Sequence, residues 1–110
     1  MISFNSYGEW TYIFEGGKIT VYIDEDTIKE RGGYVYYWFL MDYLKPNSYG
    51  DFSLKIYAQN DCEENRTIWL SAIYYKEPMG VNPSVIDNDP GDEWHHESGK
   101  TFKYACDFVD

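Results

Sequence analysis

The run Tyr34–Leu44, YVYYWFLMDYL, narrows most sharply what this chain can fold into. It is nearly all aromatic or aliphatic, with a single charge at Asp42. Aromatic and β-branched residues suit a pleated, packed surface. Periodicity alone does not separate a buried helix from a buried strand. The residue types decide for a strand, because the helix formers Ala, Glu and Lys are missing here. Successive side chains in a strand point to opposite faces. Tyr34, Tyr36, Trp38 and Leu40 would then point one way, and Val35, Tyr37, Phe39 and Met41 the other. Both faces are apolar, which predicts a central strand with something packed on each side.

The flanking segments read as its neighbours. Trp10–Phe14 places Trp10, Tyr12 and Phe14 on one face, and Gly16-Gly17 marks a turn. Lys18–Ile23 alternates Ile19, Val21 and Ile23 against polar residues, so the two runs predict a hairpin. Asp24–Gly33 changes character. Asp24 or Asp26 could cap a short helix, the basic residues Lys29 and Arg31 suit its C-terminal end, and Gly32-Gly33 stops it. Asp51–Asp61 alternates again, with Phe52, Leu54, Ile56 and Ala58 inward and Ser53, Lys55, Tyr57 and Gln59 outward. Arg66–Tyr75 returns with Ile68, Leu70, Ala72 and Tyr74 on one face, and Trp69, Ile73 and Tyr75 on the other. Glu77–Glu93 holds three of the four prolines and reads as a long loop with an edge segment at Val85-Ile86, pinned back by Trp94. Ser98 would cap a last helix whose buried stripe is Phe102, Ala105, Cys106 and Val109.

At 110 residues the chain is expected to be one domain spanning 1–110. A formal net charge of −10 argues against nucleic acid and against an anionic membrane surface. No apolar run is long enough for a transmembrane helix, so membrane insertion is not expected. Twelve tyrosines suit half-buried sheet faces, where the ring packs and the hydroxyl stays wet. The N-terminus carries no signal-peptide pattern. Either Met1 replaces a removed leader on an exported chain, or it is native and the chain stays in the cytoplasm. Cys62 and Cys106 lie too far apart for a CxxC motif. An oxidising compartment would join them, and a reducing one would leave two thiols.

Several chemistries compete with simpler readings. His95, His96 and Glu97 beside Asp87, Asp89, Asp92 and Glu93 invite a metal. Adjacent histidines face opposite ways on a strand, and the segment misses both the helical zinc spacing and the calcium-loop pattern. A solvated acidic loop is the simpler reading, and no metal or other cofactor is expected. A Cys62 or Cys106 nucleophile has no local signature, and Asp42 reads as a turn or hydrogen-bonding residue, so no catalytic residue is expected. The aromatics of the central strand read as core. Tyr12, Tyr22, Tyr57 and Tyr75 are the candidates for an exposed patch, which would mark a protein interface.

Three stretches together carry a resemblance: YIDEDTIKERGG at 22–33, YVYYWFLMDYLKP at 34–46 and FSLKIYAQNDCEENRTIWLSAIYY at 52–75. With Trp94 and a Ser98-led helix ending in Cys106, the chain resembles the surface-adhesin protein E-like domain of bacterial exported proteins. The order and spacing of Tyr22, Asp24, Ile28, Trp38, Ser53, Asp61, Cys62, Arg66, Trp94, Ser98 and Cys106 carry the match. The resemblance implies a small antiparallel sheet with a C-terminal helix and a Cys62–Cys106 disulfide. It also implies a periplasmic or cell-surface location, no enzymatic activity, binding to a host matrix or envelope protein, and homodimers as an option.

The expected fold is therefore α+β. It comprises an antiparallel sheet of about five to six strands, a short helix after the second strand, and a C-terminal helix packed on the sheet. The expected function is a non-enzymatic exported binding module whose contact residues the sequence does not name. The alternative is a phage-encoded or intracellular accessory protein on the same fold.

Overall fold

A computed structural model describes residues 10–91 and 93–110. The strands are β1 (Trp10–Gly16), β2 (Ile19–Asp24), β3 (Lys29–Arg31), β4 (Tyr34–Tyr43), β5 (Ser53–Asp61), β6 (Arg66–Glu77), β7 (Val81–Asp87) and β8 (His95–His96). One helix, α1 (Lys100–Phe108), follows. The sheet is antiparallel in every pair and runs β1-β2-β4-β5-β6-β7, with β3 joined to β4 and β8 to β6. The expected five or six strands match the main path, and the full number is eight. The two extra strands are too short and too polar to alternate visibly.

The expected short helix after the second strand is corrected to a single 3-10 turn, Glu25–Thr27. Asp24 caps it, its Oδ1 accepting from the Asp26 amide at 3.1 Å. The chain then becomes strand at Lys29, because β2 pairs only with the Ile19-to-Ile23 half of the register on β4. That leaves Tyr34–Tyr36 needing backbone partners, and β3 supplies them. Gly32 and Gly33, both at positive φ, turn β3 into β4 rather than ending a helix. At the C-terminus, Gly99 holds the N-cap position in place of Ser98, with no side-chain cap bond.

Two β-bulges reset the expected faces. In β1 the register slips between Tyr12 and Phe14, and in β6 Tyr57 pairs Ser71 while Ala58 pairs Trp69. Each bulge inserts one unpaired residue, Ile13 and Leu70, and so inverts the parity beyond it. Phe14 therefore joins Val21 rather than Trp10, and Trp69 joins Ala72 and Tyr74.

The first face of the sheet carries Val21, Ile23, Val35, Tyr37, Phe39, Leu54, Ile56 and Ala58, all buried. Helix α1 packs on this face through Phe102 and Ala105. A polar knot ties helix to sheet inside the core. Asn60, fully buried, accepts from Tyr37 (3.0 Å) and Thr67 (2.8 Å) through Oδ1, and its Nδ2 donates to the Phe102 carbonyl (3.3 Å). Cys62, just past β5, is bonded to Cys106 of α1 with Cα atoms 6.0 Å apart. The Tyr104 hydroxyl donates to the Glu25 carboxylate, linking α1 to the 3-10 turn.

The long loop expected at 77–93 holds more order than its prolines suggest. Pro78–Gly80 forms a 3-10 turn, and β7 runs across the whole of Val81–Asp87.

Candidate functional site

The second face of β4 carries Tyr34, Tyr36, Trp38 and Leu40. The expectation that something packs on both sides holds on this face only at the Leu40 end. Leu40 alone is fully buried, and Tyr34, Tyr36 and Trp38 stay half-exposed. Among the described residues α1 is the only α-helix, and it lies on the other face.

Cross-strand pairing extends this face. Trp38 sits opposite Tyr57, Tyr22 opposite Leu40, and Tyr12 opposite Tyr22. Trp38 and Tyr57 rings lie 5.1 Å apart, Tyr36 and Tyr57 6.2 Å, and Tyr12 and Tyr22 6.2 Å. Trp94, just before β8, comes back onto the sheet and sits 5.7 Å from Tyr34, as its role of anchor predicts. Of the tyrosines expected at an exposed patch, Tyr12 lies here exposed and Tyr22 and Tyr57 lie here partly buried. Tyr75 shares the face but is buried.

Cations are interleaved with the rings. Arg31 lies over Tyr36 at 4.4 Å and its Nη2 donates to the Tyr57 hydroxyl at 3.4 Å. Arg66 lies over Trp94 at 4.7 Å while its Nε donates to Asp61 at 3.0 Å. The Lys55 ammonium sits among Trp38 (5.5 Å), Trp10 (5.7 Å) and Tyr75 (5.9 Å). Burial among these rings pulls its pKa below the usual lysine value, partly offset by the Asp24 carboxylate. A cation over an aromatic face contributes about 0.5–1 kcal/mol at an exposed site. These contacts help an aromatic face stay partly open: Arg31 shields a ring while its charge stays in water, whereas Lys55 is partly desolvated among its rings.

The lower end of the face is roofed by the Pro78–Gly80 turn. Ser53 donates to the Glu77 carbonyl (2.7 Å) and accepts from the Gly80 amide (2.9 Å), so this residue, expected to face outward, is fully buried. Asp42 accepts from the Met79 amide at 2.8 Å, the hydrogen-bonding role read from the sequence. Gly80 approaches Lys55 and Leu40 so closely that a Cβ there would lie 3.3 Å from Lys55 Cδ. Its φ of +72° also favours glycine.

The acidic loop assembles no comparable group. His95 and His96 are exposed, pair with Thr67 and Arg66, and point to opposite faces. Asp92 lies outside the described residues. Among the described residues no three His, Cys, Asp or Glu side chains come together as metal ligands. Cys62 and Cys106 are held in their bond. On the first face, Phe14, Tyr37, Phe39, Trp69, Glu97 and Phe102 are among the residues lining a cavity of about 170 Å³ beside α1.

The second face was missed because Tyr34, Tyr36 and Trp38 are as apolar as their buried neighbours. The signal that separates the faces is the interleaved charge of Lys29, Arg31, Lys55 and Arg66, visible only once the register is known. No described helix is long and apolar enough to cross a membrane.

The sequence model of the surface-adhesin protein E family matches residues 10–107. No curated protein and no solved structure shows a significant match to the chain.

Proposed function

The chain belongs to the surface-adhesin protein E family, and on that basis we propose that it is a non-enzymatic, exported binding module whose second sheet face meets a protein partner. It acts as a single domain through protein–protein contacts, with a host matrix or envelope protein as ligand. The observation that carries this reading is the make-up of that face. Tryptophan, tyrosine and arginine are the residues enriched at energetic hot spots of protein interfaces, and here Trp38, Trp94, Tyr36, Tyr57, Arg31 and Arg66 share one surface on which no described α-helix lies. The Cys62–Cys106 bond supports an oxidising location, periplasmic or at the cell surface.

The test uses the domain immobilised on a sensor surface, with purified matrix proteins and the envelope fraction as analytes. Saturable binding is expected, weakened at least tenfold by Trp38→Ala or Tyr57→Ala, the scale of a hot-spot truncation. Absence of saturable binding to any of them contradicts the proposal.

A further inference from the structure

The cations of the second face are not equivalent. Arg66 is paired with Asp61, and Lys55 is enclosed by three rings. Lys29 and Arg31 differ. They are pairing partners of Tyr36 and Tyr34, so both side chains project to the second face, while Glu30 projects to the other. Both are exposed, and among the described residues neither makes an ion pair. They stand roughly 7 Å apart along the strand. In a chain of net charge −10, two adjacent cations without a carboxylate partner among the described residues stand out. Arg31 is also preorganised: stacked on Tyr36 and in contact with Tyr57, its guanidinium plane is set while its remaining N–H donors face solvent. A carboxylate is the group that such a planar fork accepts best.

We propose that Lys29 and Arg31 read an acidic side chain in a peptide segment of the partner, with Tyr36, Tyr57 and Trp38 anchoring an apolar residue beside it. This rests on the second face being the binding surface. Charge complementarity fixes the occupant. One or two carboxylates flanked by apolar residues match two free cations beside an aromatic patch. A sulfated polysaccharide fits worse, because it brings dense negative charge to a strongly acidic chain.

The experiment selects a phage-displayed library of random dodecapeptides on the disulfide-intact domain, then measures the affinity of the best synthetic peptide. Selected peptides are expected to share an Asp or Glu next to an aromatic or aliphatic residue. Arg31→Gln should weaken binding about tenfold to a hundredfold, the scale of a charged hydrogen bond. Amidating the peptide's acid should cost a similar factor on the wild-type domain and little on Arg31→Gln. Arg31 is exposed, so this variant tests recognition rather than folding. Selection without acidic enrichment, a library that yields no binder, or unchanged affinity in Arg31→Gln overturns the inference. So does tighter binding to immobilised heparin than to any selected peptide, lost in Arg31→Gln, which assigns the face to anionic polysaccharide. If Trp38→Ala abolishes peptide binding while Arg31→Gln does not, the face remains the binding surface and only the acidic partner falls. If neither variant matters, both readings fall.

Discussion

Asn60 is the side chain on which the join between helix and sheet turns. It is fully buried and serves Tyr37, Thr67 and the Phe102 carbonyl at once. Asn60→Leu would strand the Tyr37 hydroxyl away from water, whereas the Thr67 hydroxyl keeps the Gln59 carbonyl as acceptor at 3.0 Å, and one unsatisfied buried group costs about 1–3 kcal/mol. The variant should lose about 1–3 kcal/mol in a denaturant titration, and an unchanged stability would mean the knot is not closed in solution. Tyr37 adds a pH signature. Its hydroxyl is held above the usual tyrosine range, chiefly by burial, with the hydrogen bond to Asn60 partly opposing the shift. The folded pKa exceeds the unfolded one, so the contribution is complete below about pH 10 and is lost as pH rises beyond it. Tyr22, Tyr43 and Tyr75 shift in the same direction, again mainly through burial. Stability should therefore fall on the alkaline side, with a shallower decline in Tyr37→Phe; identical slopes in the two proteins would contradict this assignment. None of this was legible beforehand. Asn60 falls on the inward parity of β5 after Leu54, Ile56 and Ala58, but alternation does not tell which groups a polar residue there serves, and only the arrival of α1 supplies the Phe102 carbonyl.

At the scale of elements, α1 is short and lacks a side-chain cap, and an isolated helix of this length is unstable in water. Its place depends on Phe102, Ala105 and the bond from Cys106 to Cys62. Replacing both cysteines by serine should cost about 2–4 kcal/mol, and hydrogen exchange should quicken first in α1. Uniform loss of protection across the sheet would contradict that order. The Pro78–Gly80 turn depends on Gly80, where positive φ and the nearby Lys55 both resist a side chain. Gly80→Ala should cost about 1–2 kcal/mol, read as a fall in the thermal midpoint. The main strands, both hairpins and the C-terminal helix were legible because alternation and helical spacing are strong patterns. The resemblance supplied the cysteine pairing. The bulges at Ile13 and Leu70 were not legible, since an inserted residue leaves a run such as WTYIF looking like clean alternation. Nor was β3, whose Lys-Glu-Arg sequence has no apolar residue and becomes strand only because β4 outruns β2. The candidate site was half legible. In the sequence Tyr12, Tyr22 and Tyr57 read as an exposed patch, but Tyr34, Tyr36 and Trp38 read as core, because aromatic character does not say which face is covered.

Across the whole molecule, one sheet separates two kinds of surface. The first face is closed by α1, the polar knot and the disulfide. The second holds its aromatics half-open under a layer of its own cations. Rings already paired and cations already stacked lose little conformational freedom on binding, which favours affinity. The four tryptophans are distributed unequally: Trp10, Trp38 and Trp94 serve the second face, and Trp69 packs against Phe39 on the first. Their indole N–H signals in a proton–nitrogen NMR spectrum therefore report separately on the two surfaces. That spectrum, recorded while the saturably bound matrix or envelope protein is titrated in, tests most directly whether the second face is the binding surface. Signals of Trp38 and Trp94 should shift or broaden at substoichiometric partner while Trp69 is the last to change. Early perturbation of Trp69 with Trp38 and Trp94 unmoved would place the binding surface on the helix-covered side.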